Sequence, residues 1–185
     1  MHVKAEKILV SGDEIARRVR ELGREITSDY TDREILMVCI LKGAVVFTAD
    51  LMRQVNRPVS LDFVAVSSYG DSTSSTGVVK IIKDMDQDMA GRHVILVEDI
   101  VDTGLTLNYL KELLTDRHPE SLAICAMFDK PSRRRVDIEP DYVGMTIPDH
   151  FVVGYGLDYQ GQFRNLPDLR ILSEQEQDAQ EERDG

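Results

Sequence analysis

Hydrophobic positions along this chain change period several times, and each change marks an element. Ile15, Val19, Leu22 and Ile26 recur every three or four residues and share one stripe of a helix. "SGDE" at Ser11–Glu14 has the form of a capping box, so the helix should begin there. "EILMVCIL" then runs apolar without interruption, as a strand buried on both faces requires. After "KG", the segment "AVVFTADLMRQV" predicts a helix and "PVSLDFVAV" a strand. "VVKIIKDM", "HVILVED", "SLAICAMFD" and "YVGMTI" predict further strands, with a helix over 106–116 between two of them. Strand and helix alternate through the first two-thirds, which predicts an α/β fold: a mostly parallel twisted sheet flanked by helices.

One internal stretch breaks the pattern. Ser67–Gly77, "SSYGDSTSSTG", is too polar to pack and too short to link domains, leaving a flap or a plain hairpin loop. No repeat or second-domain boundary is visible, so residues 1–172 are expected to form one domain. Residues 173–185, "SEQEQDAQEERDG", read as a frayed, solvated acidic tail.

Charge narrows the function classes. The net charge is −11, of which the tail carries −5, and this disfavours a broad nucleic-acid footprint. The longest apolar run, Ile35–Leu41, is seven residues, far short of a bilayer span. With no hydrophobic signal segment at the N-terminus, a cytoplasmic location is expected. Cys39 and Cys125 lie in apolar runs and read as reduced core residues. His2, His93, His118 and His150 have no metal-ligand spacing and read as surface residues.

Familiar phosphate signatures are missing: no Gly-Lys dipeptide and no Gly-x-Gly-x-x-Gly after a strand. Asp84, Asp86 and Asp88 imitate the start of an EF-hand loop, but Met89 and Ile95 stand where glycine and glutamate are needed. The informative stretch is "VILVEDIVDTGLT", Val94–Thr106. It reads as a strand end feeding a helix, the place where open α/β sheets bind ligands. Thr103, Gly104, Leu105 and Thr106 offer unpaired N–H groups, two hydroxyls and a close backbone approach, which suits a monophosphate. Glu98 and Asp99 could accept from vicinal ribose hydroxyls, directly or through magnesium. They could also stabilise positive charge growing at an anomeric carbon.

This motif resembles the phosphoribosyl-diphosphate site of the type I phosphoribosyltransferases, and the chain over about 5–172 resembles the hypoxanthine (hypoxanthine-guanine) phosphoribosyltransferases. "LKG" at 41–43, "DKPSRR" at 129–134 and "FVVGYGLDYQGQFRNLP" at 151–167 carry the narrower likeness. The resemblance implies a small hood built from the terminal segments and transfer of a phosphoribosyl group to hypoxanthine or guanine with Mg²⁺. It implies that Glu98 and Asp99 hold the ribose and help position magnesium, and that Asp102 is the acid/base at purine N7. Thr103–Thr106 would bind the 5-phosphate. Leu41, Lys42 and Gly43 would meet the diphosphate, through a cis peptide before the lysine. Lys130 would donate to the purine 6-oxo group, Phe151 would stack on the base and the Val152 carbonyl would read its edge. Asp158 would bind magnesium and Arg164 the departing diphosphate, under a flap containing Ser68 and Tyr69. A homodimer or homotetramer is implied as well. Leu105 departs from the lysine of some members, though its backbone N–H would serve equally.

Each residue also has a plainer reading. Asp102 could be a turn residue, Lys42 and Lys130 turn lysines, Phe151 core, and Asp158 with Arg164 one surface ion pair. Arg133–Arg135 read as a solvated basic cluster. A rival function, a nucleotide-sensing regulator that grips nucleic acid, would need a basic face from Arg17, Arg18, Arg20 and Arg24 or from Arg133–Arg135. A donor at Lys130 argues against adenine. Hypoxanthine, guanine and xanthine stay open.

Overall fold

The computed structural model describes residues 5–68 and 79–172. The first helix, α1 (Gly12–Asp29), starts as its capping box requires. The Ser11 hydroxyl accepts from Glu14 N at 3.3 Å, and Ser11 N donates to the Glu14 carboxylate at 3.0 Å. All four stripe residues are buried.

Six strands form the main sheet: β2 (Ile35–Leu41), β3 (Val59–Ser68), β4 (Val79–Lys83), β5 (His93–Val101), β6 (Ser121–Asp129) and β7 (Tyr142–Thr146). Their spatial order is β4-β3-β2-β5-β6-β7, parallel throughout except for the edge strand β4. α2 (Val45–Met52) crosses over from β2 to β3, and α3 (Leu105–Thr115) from β5 to β6.

The uninterrupted apolar run of β2 is explained by two cores. Ile35 and Met37 face the layer of α1 and α2, with Val19, Ile26, Phe47 and Leu51. Leu36, Val38 and Ile40 face the layer of α3, with Leu107, Leu110 and Leu114. A strand packed on both sides has no polar register to keep, so its period-two signal disappears. Burying such a side chain contributes roughly 1.5–3 kcal/mol, before the entropy of ordering it.

β1 (Ala5–Val10), β8 (Val152–Val153) and β9 (Leu169–Leu172) pair in the order β1-β9-β8, all antiparallel. This is the hood of terminal segments. Its strands were not predicted: β8 and β9 are only two and four residues long, and β1 pairs through an irregular register.

Several boundaries shift. β5 runs two residues past the predicted end at Asp99, to Val101, and β3 runs on to Ser68, into the stretch read as a flap or loop. α2 stops at Met52, and α3 begins one residue early at Leu105. His93, expected at the surface, is half-buried: its Nδ1 lies 2.8 Å from Ser121 Oγ and its ring meets Tyr30 edge-on.

The topology decides where a ligand fits. From β2 the chain moves one way across the sheet, to β3; from β5 it moves the other way, to β6 and β7. Where neighbouring β2 and β5 diverge, their crossovers leave a crevice at the carboxyl ends, the usual ligand site of such sheets.

Candidate active site

The loop after β2 and the end of β5 meet in that crevice. The Leu41–Lys42 peptide is cis, as the resemblance implied. Gly43 lies so close to β5 that a Cβ there would overlap the Asp99 carboxylate. Gly156, from the segment after β8, in turn rests on Gly43, where a Cβ would strike the Gly43 carbonyl. The Asp99 carboxylate, the loop backbone and the hood backbone therefore stack in contact, and two glycines permit it.

Residues 98–104 with Thr106 and Leu107 line a cavity of about 190 Å³. Gly104 is the N-cap of α3 with φ 81°, a conformation that favours glycine, and a Cβ there would crowd Ile138 at 2.6 Å. The first N–H groups of an α-helix have no acceptor within the helix, so the start of α3 presents donors to this cavity. Thr103 Oγ1 accepts from Leu105 N at 3.5 Å. The Leu105 N–H, expected to be unpaired, thus has a long contact within the turn itself.

Glu98 and Asp99 are the electrostatic anomaly. Burial pushes both carboxyls above the usual range, and the Asp99 charge raises Glu98 further. Arg164 acts in the opposite sense on Asp99. Arg164 also pairs with Asp158 at 2.5 Å and donates to the Gly156 carbonyl at 2.6 Å. Asp158 accepts from Gly161 N at 2.8 Å. Thus Asp158 and Arg164 do form one ion pair, but at the crevice rather than on a remote surface. Among the described residues, no three His, Cys, Asp or Glu side chains group closely enough to hold a metal by themselves. The Glu98–Asp99 pair still fits a hard cation, because it offers two adjacent buried carboxylates as oxygen donors.

Across the crevice the loop after β6 brings in Lys130, which is 6% exposed. Its Nζ donates to the His150 carbonyl at 2.6 Å and lies 3.6 Å from Asp149 Oδ1. Phe151 follows with 45% of its surface exposed, too open for a core residue, and meets Tyr159 edge-on. Val152 is buried in β8. Asp102 is half-exposed at the cavity rim, where its Oδ1 accepts from Arg133 Nε at 3.0 Å. Ser68 ends β3, whereas Tyr69 and the rest of the flap to Gly77 lie outside the described residues, as does the tail.

A model of the phosphoribosyl transferase domain matches residues 7–160. The hypoxanthine-guanine phosphoribosyltransferase of Bacillus subtilis (strain 168) is 51% identical over 90% of this chain and 93% of its own length. The chain belongs to the hypoxanthine-guanine phosphoribosyltransferases. A crystal structure of a hypoxanthine phosphoribosyltransferase from Staphylococcus aureus superposes with a TM-score of 0.89 at 44% identity, covering 92% of each chain. A bifunctional TilS/HprT protein of Listeria monocytogenes serotype 4b (strain F2365) is 49% identical over 93% of the chain, which spans 26% of that protein.

Sequence reasoning missed two contributors to this phosphoribosyltransferase's site. Arg133, although solvent-exposed as expected, is not unengaged: it holds Asp102 and reaches Asp149. Arg134 is structural, donating to the Val101 and Asp102 carbonyls and pairing with Asp129. No periodicity marks a side chain that works through a contact 31 residues away. Of the arginines on α1, Arg17 and Arg18 pair with Glu21 and Glu25 on the same helix. No described helix is long and apolar enough to cross a membrane.

Proposed function

We propose that the chain transfers the 5-phosphoribosyl group of 5-phosphoribosyl 1-diphosphate to hypoxanthine or guanine, releasing diphosphate. The observation that carries this reading is the stack Asp99–Gly43–Gly156, which draws three of the four characteristic segments to one crevice. Thr103, Gly104, Leu105 and Thr106 hold the 5-phosphate with backbone N–H groups and hydroxyls. Glu98 and Asp99 accept from the ribose diol, and their charge favours the cationic sugar as the diphosphate departs.

Lys130 can only donate, so it selects a 6-oxo group over an exocyclic amine. Phe151 supplies a ring to stack on the base, and Val152 reads its edge through the carbonyl. Asp102 takes the proton from N7 as N9 bonds to the anomeric carbon. Leu41, Lys42 and Gly43 receive the diphosphate with Arg164. Glu98 with Asp99, and Asp158 apart from them, would supply carboxylates to Mg²⁺ alongside oxygens of the substrate, and the ion when bound neutralises diphosphate charge. Assembly as a homodimer or homotetramer in the cytoplasm goes with this reading, without nucleic acid.

The test combines purified protein, Mg²⁺ and 5-phosphoribosyl 1-diphosphate with hypoxanthine, guanine, xanthine or adenine in separate reactions. Turnover of 6-oxopurines with adenine inert is expected, and Asp102→Asn should lower it about 100-fold. Equal turnover of adenine would remove the role of Lys130, and an undiminished Asp102→Asn that of Asp102.

A further inference from the structure

Arg133 makes a contact that the transfer reaction, as described, does not use. It ends the short 3-10 turn Pro131–Arg133 after β6. That turn is clasped to the loop after β5: Lys130 N donates to the Val101 carbonyl at 2.9 Å, and Arg135 N to the Thr103 carbonyl at 3.0 Å. Arg134 Nη1 adds bonds to the Val101 and Asp102 carbonyls at 3.0 and 2.7 Å. The backbone bearing Arg133 is therefore fixed against the backbone bearing Asp102. Their side-chain pair is not a chance meeting of two surface chains.

The pairing is one-sided. Arg133 Nε donates to Asp102 Oδ1 at 3.0 Å, an end-on contact that leaves Oδ2 with no hydrogen bond or ion pair among the described residues. Arg133 Nη1 lies 3.6 Å from Asp149 Oδ2, and Asp149 Oδ1 lies 3.6 Å from Lys130 Nζ. Charges thus alternate along Asp102, Arg133, Asp149 and Lys130. On a 6-oxopurine, N7 and O6 are neighbours on one edge. The two ends of this chain are the groups assigned to those two atoms.

We propose that Arg133, held in place by Asp149, is a positioning residue that turns the free oxygen of Asp102 toward purine N7 while Lys130 takes O6. The proposal rests on the proton-transfer role of Asp102. As a stability element the chain is worth little, because Arg133, Asp102 and Asp149 are each more than 40% exposed and solvent screens such pairs. Orientation is a different matter, since a misplaced acid/base costs rate even where binding is intact.

A double-mutant cycle tests it, using Arg133→Met, Arg133→Lys, Asp149→Asn, Asp102→Asn and the Arg133→Met/Asp102→Asn pair. Turnover and KM for each substrate are measured, with thermal midpoints alongside. Arg133→Met should lower kcat about tenfold, leave KM for 5-phosphoribosyl 1-diphosphate unchanged and keep the midpoint. Arg133→Lys, which keeps the charge near Asp102, should recover part of the loss, and Asp149→Asn should lose a few-fold. In the Asp102→Asn background, Arg133→Met should cost nothing more. A kcat within twofold of the parent for Arg133→Met, or the same loss with and without Asp102, overturns the positioning role. If Arg133→Met does not fold, the Arg133→Lys and Asp149→Asn turnovers decide, and parental values for both overturn it. Near-normal turnover of Asp102→Asn alone removes the parent reading, and this one with it. That result is separate from an impaired Asp102→Asn beside an unaffected Arg133→Met, which removes only the role of Arg133.

Discussion

At the scale of single residues, the site is built against the stability of the fold. Glu98 and Asp99 sit side by side where burial disfavours their charge, and each is pushed above the ordinary carboxylate range. A carboxyl raised in the folded state opposes folding once ionised. Its penalty is absent below about pH 4, where the unfolded chain is also protonated, and builds as pH climbs through the raised values. Glu98→Gln should therefore stabilise the protein at pH 7, seen as a raised melting midpoint. The gain should vanish near pH 4, and turnover should fall. Differential scanning fluorimetry at the two pH values checks this, and a lower midpoint at pH 7 would refute it. Stability given up for function is what this pair implies. The motif "VEDIVDTGLT" announced these acids, but not their depth. Depth depends on Gly43 and the hood closing over β5, which are distant in sequence.

Elements differ in how openly the chain declares them. α1 was legible because its stripe and its cap agree: the predicted start at Ser11 and the buried positions both hold. Ser11→Ala should cost about 1 kcal/mol by removing the acceptor for Glu14 N, lowering the melting midpoint by roughly 2–4 °C. Because the cap also stands where Gly12 N donates to Asp168 Oδ1 at 3.0 Å, a larger loss would show that it anchors the hood as well. An unchanged midpoint would mean that this bond to Asp168 alone sets the helix start. The central strands were legible for the opposite reason, having no polar face at all. β1, β8 and β9 were not, because β8 and β9 are short and β1 pairs with β9 through irregular register. The strength of such strands comes from partners that local pattern does not name. The site divides in the same way. Residues within contiguous motifs could be read, whereas Arg133 took its meaning only from a contact across two loops.

For the whole molecule, the question is what keeps the hood in place over the sheet. Backbone stacking of Gly156 on Gly43 supplies contact but no directional bond. A directional bond comes from Tyr155, whose hydroxyl donates to Asp50 on α2 at 2.8 Å while its ring packs edge-on to Phe128. Burial and the Asp50 carboxylate together push the Tyr155 phenol upward, so it stays a donor across the physiological range. Tyr155→Phe keeps the ring and deletes the bond. Asp50 retains its pairing with Arg53, so no buried charge is abandoned and the cost should be about 1 kcal/mol. The larger effect should appear in substrate binding. Phe151 and Val152 lie in the same hood, and a hood held less firmly presents the stacking ring less often. KM for the purine should rise several-fold while kcat at saturation changes little, because the loss is of uniform binding and not of transition-state contact. Steady-state kinetics with hypoxanthine as the varied substrate separates the two parameters. An unchanged KM beside a lowered midpoint would mean that glycine stacking and the Lys130–His150 bond hold the hood without Tyr155. A fallen kcat with constant KM would instead place Tyr155 in the chemical step, through Gly156 and the Arg164 guanidinium that donates to it.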